Sequence, residues 1–320
     1  MYVKQSEKNK EKTLEKIDKA LDILHEKDLD KVSLTDSEAH WRPNKKHYYE
    51  LVHNFQIIGD TDSRFIIENK VVDVATDMNQ LIPLMEGLQD EIGMLDVNTL
   101  LNLDNGYYSG DNLKYIETQD FDALIPNKSQ ASQAKGKKIP KFAKHKFTYN
   151  HANDTFTCPH RKILSHQSTS AKGVKLYYCN DCKNCKDKDK CCKTNVRIIS
   201  AYENEQYMQK MKIKFEDPEN KKKYGQRAIV EGNFAHIFHN LRYNTLHVVG
   251  IKKAQTESNI LSFANNVKRI HNIKNNAKNP KKSQKTLKTN KKIPKNIKKI
   301  KPPINKIIKI PLIKKSKQQP

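Results

Sequence analysis

The sequence predicts an α/β fold on two observations. Two β-rich runs in residues 48–74 surround the short polar turn "DTDS", a pattern that favours an antiparallel hairpin. Helical and strand-like segments then alternate over residues 77–127. The order strand, strand, helix, strand, helix, strand is typical of a mixed sheet flanked by helices.

The spacing of apolar residues supports each element in turn. In residues 7–30 they recur at intervals of three and four, with charged residues between them, which predicts an amphipathic helix. The same spacing in "DMNQLIPLMEGLQDEIG" predicts a helix that stops at Gly93, and the strand "TLLNLD" follows it. Ser109 is the predicted N-cap of the next helix, before the short strand "DALIPNK". Beyond residue 195 three helices are predicted, over "YENEQYMQKMKIKFED", "KKYGQRAIVEGNFAHIFHNL" and "TESNILSFANNVKRI".

The charge of the chain is concentrated at its C-terminal end. Residues 271–320 contain 17 Lys and no acid, which leaves only +7 of the net charge of +24 for residues 1–270. Such an excess favours nucleic acid as a partner. For the tail itself two interpretations remain open. It is either a basic arm for DNA or translated AT-rich sequence beyond a frameshift or a lost stop.

The sequence argues against a membrane protein. No uncharged apolar stretch approaches the roughly 18 residues needed to cross a bilayer, and the N-terminus has no apolar signal-peptide core. We therefore expect a cytoplasmic, nucleoid-associated protein with reduced thiols and no membrane partner.

The first candidate site residue is Asp104, which follows directly after the apolar strand "TLLNL". In α/β sheets, functional groups collect at the carboxyl ends of strands. An acid at this place is either a helix cap or a metal ligand.

The second candidate site is the pattern Y-x2-R-x3-E. Tyr224, Arg227 and Glu231 are spaced i, i+3 and i+7, which predicts that they share one face of one helix. A solvated Arg–Glu pair is the simpler interpretation of this pattern taken alone.

Together, "LDNGYYSGDNL" and the later Y-x2-R-x3-E resemble the second and third acidic positions of DDE transposases of bacterial insertion sequences. The segment "YELVHNFQIIGDTDSRFIIENKVVD" is similar to the hairpin of that family's RNase H-like core, and "TDMNQLIPLME" to an Asp-containing segment that leads into its first helix. The stretch "VVGIKKAQTESNILSFANNVKRI" resembles its closing helix. One branch of the family also carries a cysteine-bearing insertion between the second Asp and the Glu, similar to residues 147–192. The resemblance covers roughly residues 34–271.

The resemblance implies metal-dependent strand cleavage and transfer in DNA transposition. Asp104 and Glu231 would be catalytic ligands of Mg²⁺ (or Mn²⁺), which prefers oxygen donors. Tyr224 and Arg227 would hold the DNA backbone beside them. The implied partners are the DNA ends of the element and, for a complete protein, a second copy in a homodimer.

The chain departs from the family pattern at two places. The family has a first Asp in an Asp-Gly-Thr context, which this sequence lacks; Asp36 is only a weak candidate for that role. The expectation is therefore an N-terminally truncated chain that is inactive by itself. Seven residues past Glu231, the family commonly has Lys where this sequence has Phe238, followed by His239.

Cys158 stands apart, and the other five cysteines follow in a Lys- and Asp-rich, loop-rich segment with little apolar content. Pairs of thiolates two residues apart suit tetrahedral Zn²⁺, which would staple such a segment. Iron–sulfur proteins have similar spacing, but their Cys-Pro pattern is missing here. The alternative is a cluster of free thiols without metal. The predicted zinc ligands are Cys158, Cys182, Cys185 and Cys191, with Cys179 and Cys192 as substitutes and His160 as a lesser alternative.

The predicted function is thus a DDE transposase fragment, with two alternatives: a non-catalytic DNA-binding remnant, or a metal-dependent nuclease on a similar core. The predicted organisation runs from an N-terminal helix and linker (1–33) through the first part of an RNase H-like core (34–145), a Cys-rich insertion (146–194) and a helical part of the core with Glu231 (195–271) to a disordered Lys-rich tail (272–320).

Overall fold

The computed structural model describes residues 2–43, 48–74, 76–96, 98–171, 173–243, 245–278, 306–309 and 312–315. The helices are α1 Tyr2–Glu26, α2 Leu81–Ile92, α3 Gly110–Thr118, α4 Lys128–Ala134, α5 Lys188–Cys191, α6 Glu205–Glu216, α7 Pro218–Tyr224, α8 Arg227–Ala235 and α9 Ile251–Lys278. Short 3₁₀ turns cover Asn105–Tyr107 and Lys144–Lys146, and a π-helical turn covers His236–Asn240.

The strands are β1 His40–Pro43, β2 Tyr49–Asp60, β3 Ile66–Val72, β4 Leu100–Leu103, β5 Asp122–Leu124, β6 Thr148–Asn150, β7 Thr155–Thr157, β8 Ile163–Thr169, β9 Lys175–Cys179, β10 Arg197–Ala201, β11 Thr245–Leu246, β12 Lys306–Lys309 and β13 Leu312–Lys315. The chain divides into two compact units, residues 1–76 with 227–320 and residues 77–226.

The first unit is built around β2. This strand pairs antiparallel with β1 and then with β3, and with β12 and β13 on its other edge. Its residues 52–59 are all buried, which is typical of an interior strand covered on both faces. Within the same unit, β13 also pairs in parallel with β11.

A single apolar core joins the hairpin to α8 and α9. Phe55 of β2 packs edge-on against Phe234 of α8, with ring centroids 6.1 Å apart. Ala254 and Leu261 of α9 belong to the same buried cluster. Helix α8 approaches β2 closely at Gly59, where a Cβ atom would lie 2.9 Å from Cγ1 of Val230.

A buried His–Asp pair fastens the loop before β1 to the start of α9. Nε2 of His53 lies 3.0 Å from Oδ2 of Asp36, and each side chain is only 1% exposed. The same carboxylate oxygen accepts a hydrogen bond from the backbone N–H of Gly250 (3.3 Å), and Glu38 accepts one from that of Ile251 (2.9 Å). These two carboxylates satisfy backbone donors at the N-terminus of α9, where negative charge is favourable.

The second unit begins with a strand–helix–strand arrangement. Strands β4 and β5 pair in parallel, with Leu101 opposite Ala123, and α3 connects them. Ser109 caps α3 by accepting a hydrogen bond from the backbone N–H of Asn112, as predicted. Helix α2 ends at Gly93, whose φ of 76° suits glycine, also as predicted.

Residues 147–201 of the second unit form an antiparallel sheet in the order β10–β9–β8–β7–β6. Its core contains Phe147, Phe156, Leu164, Tyr177 and Ile199. Between β9 and β10, residues 180–196 consist of turns and the short α5, as predicted for the Lys- and Asp-rich loop, whereas residues 148–179 contribute four strands to this sheet. The few apolar side chains fall on one face, as where Phe156 pairs directly opposite Leu164.

The predicted mixed α/β fold, with an antiparallel hairpin in residues 48–74, is confirmed, and it is consistent with an RNase H-like core. Most of the tail predicted to be disordered, namely 279–305, 310–311 and 316–320, lies outside the described residues. The remainder differs from that expectation, because residues 272–278 continue α9 and β12 and β13 pair with β2. Isoleucine-rich sequence in "INKIIKIPLIKK" gives these two short strands β propensity. No helix in the described part of the chain is both long and apolar enough to span a bilayer.

Replacing Asp36 with alanine should lower the free energy of unfolding by about 3 kcal/mol. The substitution leaves His53 buried without its acceptor and removes the partner of the Gly250 N–H. Urea unfolding of both proteins measures the difference. Asp30→Ala, at an exposed position, is the control and should change the value by less than about 0.5 kcal/mol. Equal stability of the two variants would contradict a structural role for the pair.

Candidate functional site

Asp104 lies at the carboxyl end of a fully buried strand. All four residues of β4 are buried, and Asp104 begins the 3₁₀ turn that follows. Its Oδ1 accepts a hydrogen bond from the backbone N–H of Asn105 (2.7 Å). The carboxylate therefore caps this turn, which was one of its two predicted roles. A metal contact through the same carboxylate stays a prediction.

A second acid, Asp77, lies against the loop that follows Asp104. A Cβ atom at position 106 would lie 2.6 Å from Oδ2 of Asp77, so only glycine at that position leaves room for the carboxylate. Burial raises the pKa of Tyr107 well above its usual value, and the charges of Asp77 and Asp104 raise it further. Both carboxylates thus act on the same buried phenol.

Tyr224 binds the end of the strand that precedes Asp104. Its hydroxyl donates a hydrogen bond to the carbonyl oxygen of Leu103 (3.1 Å). Its ring packs edge-on against Phe215, with centroids 4.9 Å apart, beside the buried cluster of Leu100, Leu124 and Phe215. Tyr224 therefore fixes the backbone at the carboxyl end of β4, within one unit of the chain.

The prediction that Tyr224, Arg227 and Glu231 share one helix was wrong. Tyr224 is the last residue of α7, whereas Arg227 and Glu231 belong to α8. A turn at Gly225 and Gln226 separates the two helices. Glycine is a poor residue for a helix interior, costing about 1 kcal/mol relative to alanine, so the helix breaks where the apolar spacing alone favours continuity.

Arg227 and Glu231 form an ion pair one turn apart on α8. Nη2 of Arg227 lies 3.0 Å from Oε1 of Glu231, and the side chains are 18% and 40% exposed. A pair this open contributes only about 0.3–0.5 kcal/mol to stability. The guanidinium does, however, hold the half-exposed carboxylate in one orientation. Glu231 belongs to the first unit and Asp104 to the second, and their sharing of a metal stays a prediction.

Phe238, seven positions past Glu231, is part of the core. The ring of Phe238 lies nearly parallel to that of Phe234, with centroids 6.2 Å apart, and packs on the core of the first unit. His239 is exposed. Asp36, the weak candidate for a first catalytic acid, is buried in the structural pair with His53.

All six cysteines line one small cavity in the second unit. Its volume of about 20 Å³ gives room for roughly one water-sized sphere, and the lining also includes Phe142, His160, Lys162, Lys188 and Arg197. Cys179 and Cys182 are buried, whereas the other four thiols are partly exposed. His160 instead binds Asp187, with Nε2 2.9 Å from Oδ2. The cluster is thus shared by all the cysteines, including the two expected only as substitutes.

Burial raises the pKa of three thiols of the cluster. Burial, followed by a hydrogen bond with Cys182, raises the pKa of Cys179 to about 11. Burial also raises the pKa of Cys191 to about 11, although the charge of Arg197 partly opposes it. Burial and the neighbouring Cys182 raise the pKa of Cys192 as well.

The donor chemistry of the two sites fits metals, but their geometry is not that of a closed metal centre. Over the described residues, no three or more His, Cys, Asp or Glu side chains are arranged to hold an ion. Carboxylate oxygens suit Mg²⁺ and clustered thiols suit Zn²⁺.

Comparison with known proteins found a family model that matches part of the chain. Residues 155–271 match the family model described as Transposase DDE domain. This match supports a DDE transposase. The match includes Tyr224, Arg227 and Glu231, and it begins after Asp104. No match was found among curated proteins or among solved structures.

The sequence did not predict that Asp77 lies close to the loop that follows Asp104. The only sequence signal was its place in "TDMNQLIPLME", before α2. Nothing in that local pattern links residue 77 to residue 106, because the contact depends on the tertiary structure.

Gly106→Ala should destabilise the chain by about 1–3 kcal/mol, because the new methyl group overlaps the Asp77 carboxylate. Urea unfolding measures this change. Gly87→Ala is the matched control, since a Cβ atom at that helical position meets nothing within 4 Å. It should stabilise the chain by up to about 1 kcal/mol. If both substitutions changed the free energy of unfolding in the same direction, Asp77 would not constrain position 106.

Proposed function

We propose that this chain is a DDE transposase in which Asp104 and Glu231 are ligands of Mg²⁺ (or Mn²⁺). The observation that carries the proposal is the hydrogen bond from Tyr224 to Leu103, the residue just before Asp104. It holds Tyr224, the first residue of the Y-x2-R-x3-E pattern, at the strand end that bears Asp104, although the two are far apart in sequence. The family match over residues 155–271 supports DNA as the substrate.

In this proposal each residue has a distinct task. Bound Mg²⁺ would activate a water or a 3′-hydroxyl and stabilise the leaving oxygen of a phosphoryl displacement. The Asn105 N–H holds the carboxylate of Asp104, and Tyr224 holds the carbonyl of the preceding residue, Leu103. Arg227 holds the carboxylate of Glu231 at 3.0 Å. Contacts of Tyr224 and Arg227 with the DNA backbone form part of the proposal.

The proposed activity of this chain alone is DNA binding without strand cleavage. The sequence contains no Asp-Gly-Thr motif to supply the family's first acid, and Asp36 is engaged with His53. With two acids instead of three, transition-state stabilisation falls by several kcal/mol, and each 1.36 kcal/mol is about tenfold in rate. A DNA-binding protein without catalysis is therefore the second candidate function, favoured by the basic charge of the chain.

The chain should bind a duplex carrying the ends of its element but leave it uncut in Mg²⁺ or Mn²⁺. Binding follows from the basic surface and should weaken steeply with added salt, because phosphate contacts release counterions. Fluorescence anisotropy measures the binding, and a denaturing gel measures strand cleavage.

Asp104→Ala is the control for that assay. Cleavage by the parent chain that disappears in Asp104→Ala would contradict the proposed lack of activity and support a catalytic Asp104. Cleavage that survives the substitution would point to a contaminating nuclease. Cleavage that depends on Asp104, occurs on DNA of any sequence and is not followed by strand transfer would favour the alternative of a metal-dependent nuclease on a similar core.

For the cysteine cluster we propose a structural Zn²⁺. The predicted ligands Cys158, Cys182, Cys185 and Cys191 line the same cavity as Cys179 and Cys192. This arrangement supports the binding of one ion by several of these thiols. Thiolates are the zinc-binding form, and a tetrahedron of four would close the site.

Purified protein from zinc-replete medium should contain about one zinc ion per chain, and Cys182→Ser should lose it. Zinc affinity should also fall as the pH is lowered. Because thiols such as Cys179 are protonated in the metal-free form, binding must release their protons. Elemental analysis and titration at several pH values measure these effects. His166→Asn, on β8 outside the cavity, is the control and should keep its zinc. Folded parent protein without zinc would leave the free-thiol alternative.

A further inference from the structure

A basic groove crosses the first unit on the side of α8 away from the Arg227–Glu231 pair. It has a volume of about 240 Å³ and is bounded by α8, the π-helical turn, the second half of α9 and the turn between β2 and β3. At 100° per residue, Ile229, Gly232, Asn233 and His236 fall within about 100° of arc on one side of the helix. Arg227 and Glu231 lie on the opposite side. The groove is therefore separate from the candidate acids.

Three cations surround this groove, and no acid is among the residues that line it in the described chain. Arg64 and Lys268 are exposed, and the Nε–H of Arg269 donates to the carbonyl oxygen of Ser63 (2.8 Å). Burial and the charge of Arg64 lower the pKa of Arg269, and burial and the charge of Lys268 lower that of His236. Like charges thus face one another across the groove, which favours an anion.

The floor of the groove holds a buried donor that lacks a partner. Asn233 is only 6% exposed, and its Nδ2 makes no hydrogen bond with any described residue. A buried N–H without an acceptor costs about 1–3 kcal/mol. Because Asn233 lines the groove, an acceptor bound there would remove that cost.

These features specify an anionic, acceptor-rich ligand. Arg, Lys and Asn are the side chains that commonly contact phosphate oxygens in nucleic-acid complexes. The groove is smaller than the roughly 300–1,000 Å³ of pockets that enclose a whole small molecule. A phosphate that belongs to a longer polymer fits this size better than a free metabolite.

We propose that the groove formed by Arg64, Asn233, His236, Asn265, Lys268 and Arg269 binds the phosphodiester backbone of DNA. The proposal rests on DNA being the substrate and adds a second contact region, on the far side of α8 from Glu231. It requires neither the metal nor the acids.

The test compares two double variants of the full chain, in buffer with EDTA, on a short fluorescent DNA duplex. Arg64→Gln with Lys268→Gln removes two charges from the groove. Lys252→Gln with Lys253→Gln removes two exposed charges from the first turn of α9, outside the groove, and is the matched control. The Lys-rich tail contributes equally to both.

The groove variant should bind DNA on the order of tenfold more weakly than the control variant. The slope of log affinity against log salt should also fall by about 2, close to one per lost phosphate contact. Asn233→Asp, nearly isosteric, should weaken binding while urea unfolding shows a folded protein, because it places a carboxylate on the floor of the groove.

Equal affinities of the two double variants would overturn the proposal, as would a parent chain that binds no DNA at low salt. The assay contains no divalent metal, so the result is independent of cleavage. Cleavage by the parent chain together with a preserved groove effect would count against the proposed lack of activity only.

Discussion

The first unit of the chain depends on the burial of residues 52–59 of β2. Eight consecutive residues of this strand are inaccessible, so both of its faces must be covered and both of its edges must be paired. The hairpin partner β3 and the short β1 supply one edge, and β12 and β13 supply the other. Helices α8 and α9 contribute apolar side chains to the core that the hairpin shares. The position of α8, and with it Glu231, is a consequence of what β2 must bury.

In the second unit, the proposed metal ligand lies where β4 ends. A buried strand delivers Asp104 to its edge, a capped turn fixes the carboxylate, and glycine at position 106 admits Asp77 beside it. Tyr224 adds a constraint from the other end of the unit by binding the last carbonyl of the strand. Each contact is modest alone, but together they limit the freedom of one carboxylate, which is what a metal ligand requires.

The local sequence predicted those parts of the fold that depend on neighbouring residues alone. The hairpin followed from two β-rich runs, and the Ser109 cap and the Gly93 stop followed from residue chemistry at helix ends. Periodicity failed at Gly225, since apolar spacing continues across a turn where glycine weakens the helix. It predicted no strands in residues 148–179, where few apolar residues suffice because they share one face of a sheet. The groove between Arg64 and Lys268 had no sequence signal, because only tertiary structure joins the β2–β3 turn to α9.

The contact between Gly59 and Val230 has a consequence for how this protein tolerates change. Glu231 is the next residue after Val230. The position of Glu231 therefore depends on the lack of a side chain at Gly59 of β2. A methyl group at position 59 would lift α8 by some fraction of an ångström, and misplacing a reacting group by about 1 Å can cost about a hundredfold in rate. An alanine there would look conservative and lie outside every candidate contact with DNA. Its effect would nevertheless reach Glu231, because Val230 and Glu231 are neighbours on the same helix.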